Sequence, residues 1–181
     1  MPVLTFYAAF LGTFLAITIL TYIAWKEHHP DQPRSLSALV AQRKQLVNWF
    51  RVVTTVVSTL FAVTIYFFIT PKVQYGAVLF VVWTISWFSD LLLALFPQRG
   101  TIERQLHSFF AYTMASGFVV MAVIFIICFS GGYRVLEVGI TVSMLIFAAL
   151  AQLDRKRFIF YELPFIYLSH FSILIAALAV R

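Results

Sequence analysis

The chain has 181 residues, of which 62% are hydrophobic and 11% are charged, whereas soluble domains carry roughly 25% charged residues. A single cysteine, Cys128, excludes an intramolecular disulfide framework and a cysteine-based metal cluster. The net charge of +6 does not indicate nucleic acid, because the basic residues stand between long apolar stretches, as the positive-inside rule describes for membrane proteins.

Six stretches are long and apolar enough to cross a bilayer, which takes about 20 mostly apolar residues in a helix. Since they account for most of the chain, we expect one all-α domain over residues 1–181, a polytopic six-transmembrane-helix bundle with no soluble domain. The predicted spans are residues 3–25, 49–70, 76–96, 107–129, 134–153 and 158–180.

The first predicted span has no basic residue before it and no clear cleavage site after it, so we expect it to be retained rather than removed as a signal peptide. Ala8, Gly12 and Ala16 recur at i, i+4 and i+8, and they form a small-residue face on which another helix can pack closely. Packing within the chain explains this face, and the alternative is docking to a partner subunit or to a second copy of the chain.

Residues 26–48 form the longest connection between predicted spans. Pro30 and Pro33 prevent a continuous helix at its start. Ser35 is placed to N-cap a short helix that runs to Trp49. That helix is weakly amphipathic, so we expect it to lie on the membrane surface.

Short polar segments separate the remaining spans. A turn around Pro71 follows the second span, and Thr101 is placed to cap the helix of the fourth. Arg134 and Glu137 are three residues apart at the head of the fifth span, where we expect them to pair.

The basic residues predict how the bundle sits in the membrane. Ten of the thirteen lie around the first, third and fifth connections, which places these connections in the cytoplasm and both termini outside. We therefore expect a multi-pass protein of the cell membrane, specifically a prokaryotic inner membrane. The ten are Lys26, Arg34, Arg43, Lys44, Arg51, Arg99, Arg104, Arg155, Lys156 and Arg157.

Ionisable side chains inside a membrane are costly, and each suggests a function by default. Asp90 lies about 10 Å from the cytoplasmic end of its span and His170 about 18 Å into the last span, at 1.5 Å per residue, while His107 lies near the cytoplasmic rim. Helical spacing puts further polar and aromatic side chains on the same faces. These are Trp83 and Trp87 with Asp90, Tyr112 and Ser116 with Ser108, and Tyr167 with His170.

These faces allow two interpretations. Together they could line an interior polar pocket that opens toward the cytoplasm. Alternatively, each polar group is satisfied by one neighbour and fixes the register of two helices. The candidate pocket residues are Asp90, His107, His170, Trp83, Trp87, Tyr112, Ser116 and Tyr167.

Catalytic and cofactor arrangements are disfavoured. Ser116-Gly117 with His170 resembles the dyad of rhomboid proteases, but the preceding glycine and an oxyanion-hole His or Asn are missing. His107 and His170 differ in depth by roughly 15 Å, whereas a bis-His haem needs two imidazoles at one depth. His28-His29 has no further ligand nearby, so we expect no metal and no cofactor.

The segment Leu95-Phe96-Pro97, followed by a polar turn and by Leu106-His107-Ser108, resembles the signature of domain-of-unknown-function family 998. That prokaryotic membrane family is grouped loosely with the Frag/DRAM-type proteins of eukaryotes. Phe160-Tyr161-Glu162 is similar to a second family feature, although Leu163 replaces a common Arg and Gln98-Arg99 replaces a common Asp. The resemblance implies the architecture more than an activity, and a GPI-lipid remodelling protein among the eukaryotic relatives points to lipid handling.

Three functions remain open. The first is binding or handling of a membrane lipid or small amphipathic molecule in the polar pocket. The second is a small-solute transporter or its substrate-binding membrane subunit. The third is an intramembrane enzyme that uses Asp90, His107 or His170 for acid–base chemistry.

Overall fold

The computed structural model describes residues 2–27, 35–41, 44–96 and 101–181, and these ranges contain helices and no strand. Six of the seven α-helices, all except α2, are long and apolar enough to cross a membrane. The predicted all-α, six-helix architecture is therefore confirmed. The helices are α1 (Pro2–Glu27), α2 (Leu36–Val40), α3 (Lys44–Thr64), α4 (Gly76–Leu95), α5 (Thr101–Cys128), α6 (Gly131–Leu153) and α7 (Phe158–Ala179).

Two helices begin earlier than the apolar pattern indicates. α3 begins at Lys44 rather than near Trp49, and α5 begins at Thr101 rather than near His107. Hydropathy marks the part of a helix that lies in hydrocarbon. The polar turns before that part are also helical, so the helix starts outside the predicted span.

The connection between α3 and α4 is tight. α3 continues into a π-helical segment, Ile65–Ile69, and then a 3₁₀ turn, Thr70–Lys72. Pro71 lacks the N–H that a regular α-helix would use there, which accounts for the changed hydrogen-bond pattern. A Cβ on Gly76 would overlap the backbone carbonyl of Thr70, so the turn requires glycine at this position.

The six long helices form a closed ring. Each packs against the next one along the chain, and α7 returns to pack against α1. α4 and α5 approach closely at Gly117, where a Cβ would overlap the Ser86 side chain. The largest side chains that are fully buried inside the ring include Phe61, Ile65, Leu79, Met121, Phe125 and Ile173.

The connections α1–α3, α4–α5 and α6–α7 meet at one end of the ring, which we call the basic end. There, Arg51 Nε and Nη2 donate to the carbonyls of Ala94 and Leu95 at 3.1 Å each and complete the C-terminus of α4. At the opposite end, Lys72 Nζ donates to the Val180 carbonyl at 2.7 Å. Polar side chains thus hold the helix ends together on both sides of the ring.

The short helix α2 lies inside the bundle and not on a membrane surface. Ser35 N-caps it as predicted, with Oγ accepting from the Ala38 N–H at 3.2 Å, but the helix ends at Val40. Leu36, Leu39 and Val40 are buried against α1, α3 and α7. The expectation of a surface helix is wrong, because its apolar face packs on protein, and the later residues belong to α3.

The small-residue face of α1 packs within the chain. Gly12 is buried, and a Cβ there would lie 3.3 Å from Phe61 Cζ of α3. Ala16 is also buried, while Ala8 is half-buried. These contacts give the face a role inside the ring. Docking to a partner or a second copy through it stays a prediction.

Candidate functional site

A cavity of about 270 Å³ lies inside the ring, toward the basic end, and all seven helices contribute to its wall. It is about twice the size of an engineered apolar cavity of about 150 Å³ that binds benzene, and it is close to the lower limit of about 300 Å³ for ligand pockets. Most of the wall is apolar, including Phe50, Val57, Leu93, Phe118, Phe147 and Phe165.

Four of the eight predicted pocket residues line this cavity: Asp90, His107, Tyr112 and His170. They come from α4, α5 and α7, so the ring brings together side chains that are far apart in sequence. Ser108, predicted to share a face with Tyr112, also lines the cavity.

The other four predicted residues lie elsewhere. Trp83 is buried and Trp87 half-buried, and neither indole N–H has a hydrogen-bond partner in the described chain. Ser116 is exposed, so it is separated from the buried His170 and the serine–histidine dyad is not assembled. The Tyr167 hydroxyl shares a hydrogen bond of 2.6 Å with Thr21 of α1.

Asp90 joins α4 to α3. Its Oδ2 accepts a hydrogen bond from the Ser58 hydroxyl, which is the single hydrogen bond of this carboxyl within the described ranges. Ser58 is buried and Asp90 is half-buried, and both line the cavity. The carboxyl therefore has one oxygen committed to helix packing and another available at the cavity wall.

His107 closes the end of α4. Its Nδ1 lies 2.8 Å from the Phe96 carbonyl, and because a carbonyl only accepts, Nδ1 carries the proton. In the neutral ring, Nε2 is then an acceptor. The bond joins the two halves of the motif that resembles family 998, and it gives His107 a structural role in addition to its place at the cavity.

His170 lines the cavity from α7 and is only 8% exposed. Its ring stacks on Phe61 at a centroid distance of 4.9 Å and an interplanar angle of 24°, and Phe118 contacts it edge-on at 6.2 Å. In the described chain, Nδ1 has no partner with acceptable hydrogen-bond geometry. The imidazole thus lies at the cavity wall among aromatic rings.

Glu162, which is not among the predicted pocket residues, also lines the cavity. Its Oε2 accepts the Leu36 N–H at 2.7 Å and so ties the start of α2 to α7. The available signal was an acidic residue in the first turns of an apolar span. The bond holds α2 across the basic end of the cavity.

Glu137 is a second missed acid, and it lies away from the cavity between α6 and α7. It is fully buried, Oε2 accepts from the Ser172 hydroxyl at 2.7 Å, and Oε1 has no partner in the described chain. The predicted pair with Arg134 is wrong, because Arg134 Nε instead donates to the Phe129 carbonyl at 2.7 Å. Glu137 lies close to the predicted start of the fifth span, so the sequence did not indicate that its side chain is buried.

The cavity reaches the outside of the ring between α5 and α6. Tyr112 of α5 and Gln152 of α6 both line the cavity and are both exposed. Gln152 Nε2 donates to the Tyr112 hydroxyl at 3.1 Å across this opening. This pair therefore forms an exposed part of the cavity wall between α5 and α6.

The described residues contain no group of three His, Cys, Asp or Glu side chains that could hold a metal ion. His28-His29, Pro30, Pro33 and Gln98-Arg99 lie outside the described residues.

Comparisons with protein-family models, with curated proteins and with solved structures returned no match. The similarity to family 998 thus stays a prediction from its motif residues.

Proposed function

We propose that this membrane protein binds a lipid or a small amphipathic molecule in the cavity. The observation that carries the proposal is a cavity of about 270 Å³ with an apolar wall and a few polar side chains, inside a ring of membrane-spanning helices. Such a combination is typical of ligand sites, in which apolar surface supplies affinity and a few polar groups fix orientation.

The position of the opening supports a ligand that arrives from the membrane. Tyr112 and Gln152 are exposed on the side of the ring, and both also line the cavity. An amphipathic molecule can present its polar group to these side chains while its apolar part stays in hydrocarbon. The cavity volume holds a ring or a short chain, so a two-chain lipid would enter with only part of its structure.

The distribution of basic residues supports placing the basic end, and with it the cavity, on the cytoplasmic side of a prokaryotic cell membrane. On this proposal the bound molecule exchanges with the inner leaflet or the cytoplasm.

Native mass spectrometry of the protein, purified in a maltoside detergent, tests the proposal with two matched variants. Ala148 lines the cavity, whereas its neighbour Ala149 is exposed on the same helix. We expect a retained adduct on the wild-type protein and on Ala149→Phe, and its loss from Ala148→Phe, because the larger side chain fills the cavity. A wild-type protein that carries no adduct even before dialysis, or an adduct that both variants keep, contradicts the proposal.

A further inference from the structure

Among the described residues, the Asp, Glu, Lys and Arg side chains that line the cavity are all acidic. Asp90 and Glu162 both line it, whereas no Lys or Arg does so among the described residues. Two described basic side chains of this end are engaged elsewhere, since Arg51 holds the carbonyls at the end of α4 and Arg157 lies 3.9 Å from Asp154. Carboxylates removed from water without a cation are costly, so this wall disfavours a second negative charge and favours a positive one.

Asp90 and His107 each offer an acceptor atom at the cavity wall. Asp90 commits one oxygen to Ser58. His107 donates through Nδ1 to a backbone carbonyl, which leaves Nε2 as an acceptor in the neutral ring. His170 is buried with Nδ1 unpartnered. An ammonium group only donates hydrogen bonds, and it therefore complements such a wall better than a carboxylate or phosphate does.

Aromatic rings extend the same preference to the apolar part of the cavity. Phe50, Phe147 and Phe158 contribute to the wall, from α3, α6 and α7. The face of an aromatic ring attracts a nearby cation, most strongly where water is excluded. The wall thus combines acceptors, acids and aromatic faces, which are the three features that recognise an organic cation.

We propose that the ligand of this cavity is an amine with an apolar body, bound with its ammonium at Asp90 and its apolar part against the phenylalanines. Glu162 is the second acid of the wall, but one of its oxygens already accepts from α2. Asp90 is therefore the primary partner. This inference rests on the proposed function and specifies its ligand class.

Three probes with the same ring and different polar groups test the inference: benzylamine, benzyl alcohol and benzoate. Each is titrated into the detergent-solubilised wild-type protein, and binding is followed by saturation-transfer NMR. We expect benzylamine to bind about tenfold more tightly than benzyl alcohol, the size of one charge-assisted hydrogen bond, and benzoate to bind most weakly. Equal binding of amine and alcohol, or tighter binding of benzoate, overturns the inference while leaving the cavity a ligand site. Failure of all three probes to bind contradicts the proposed function as well.

The Asp90→Asn variant locates the amine. The substitution keeps the shape and an oxygen acceptor for Ser58, so benzyl alcohol should bind as before while the preference for benzylamine disappears. A preference that survives in Asp90→Asn overturns the assignment to Asp90. If this variant does not fold, Asp90→Glu keeps the charge and should keep the preference, and the wild-type comparison decides the ligand class without either variant.

A separate experiment identifies the source of the amine, which is either a lipid headgroup or a soluble compound. Native mass spectrometry of protein taken directly from membranes, before and after dialysis, distinguishes the two. A lipid amine remains as an adduct of lipid mass that benzylamine displaces, whereas a soluble amine is lost on dialysis. An adduct identified as an anionic lipid overturns the inference.

Discussion

The hydrogen bond between Glu137 and Ser172 predicts how substitutions at these two positions change the free energy of unfolding. Ser172→Ala removes the single hydrogen bond that the Glu137 side chain accepts in the described chain, and its Oε1 already has no partner there. An unsatisfied buried acceptor costs about 1–3 kcal/mol, while hydrogen bonds between membrane helices average about 0.6 and reach about 1.7 kcal/mol. The Thr141 hydroxyl, one turn along α6, already donates to the Glu137 backbone carbonyl at 2.7 Å, so we expect a loss near the upper end, about 1.5 kcal/mol.

The opposite substitution should cost less. Glu137→Met removes the acid but leaves the Ser172 hydroxyl, which can donate to the Leu168 carbonyl four residues earlier. Ser169 already makes such a bond, to the Phe165 carbonyl at 2.8 Å. Replacing a buried polar group by an apolar one of similar size is often close to neutral. We therefore expect Glu137→Met to lower the free energy of unfolding by less than Ser172→Ala does.

Reversible unfolding in mixed maltoside and dodecyl sulfate, followed by circular dichroism, measures both changes. Ser169→Ala is the matched control, because it removes a buried serine of the same helix whose bond stays within that helix. We expect this control to change the free energy of unfolding by under about 0.5 kcal/mol. If Glu137→Met proves more damaging than Ser172→Ala, the acid has a role that the bond to Ser172 does not capture, and the reasoning fails.

Two further predictions concern the frame around the cavity. Gly117→Ala should lower the melting temperature, because the added Cβ overlaps Ser86 between α4 and α5. The control Gly139→Ala should be neutral or stabilising, because no atom lies within 4 Å of the added Cβ. Equal effects of the two substitutions in thermal unfolding would contradict the close approach. Glu162→Ala should loosen α2, because the Leu36 N–H loses its acceptor. Hydrogen exchange of the α2 amides should be faster in this variant than in Glu162→Gln, which keeps an acceptor. Unchanged exchange in both variants would show that Glu162 does not hold α2.

The number of helices could be predicted from the sequence, because hydrocarbon thickness imposes a length of apolar chain that nothing else in the protein imitates. Hydropathy did not indicate the helix starts at Lys44 and Thr101, because no bilayer property marks a helical turn that lies outside hydrocarbon, and the start of α5 was predicted only from Thr101 as a capping residue. The spacing of apolar residues also could not predict where α2 lies. An amphipathic segment has the same spacing whether its apolar face covers lipid or protein, and only the tertiary structure shows Leu36 and Leu39 buried against neighbouring helices.

The cavity residues were partly predictable for a related reason. Depth along a helix follows from counting residues, and it identified Asp90 and His170 as buried ionisable groups. The direction in which a face points depends on the neighbouring helices, which spacing within one helix does not contain. Ser116 illustrates the limit, since it shares a predicted face with Tyr112 yet does not line the cavity. The approach of α4 to α5 at Gly117, one residue away, settles that rotation.

Each acid at the cavity accepts a hydrogen bond from a neighbouring helix and also lies at the cavity wall. Asp90 accepts from Ser58 and Glu162 accepts from the α2 backbone, and each bond uses one carboxyl oxygen to join two helices. Both carboxyls also line the cavity, where the other oxygen can meet a ligand. Glu137 makes the same kind of bond without reaching the cavity, so it shows what the purely structural role looks like. A substitution at Asp90 that preserves the helix contact but removes the charge should therefore change the ligand preference. The same kind of substitution at Glu137 should leave ligand binding unchanged.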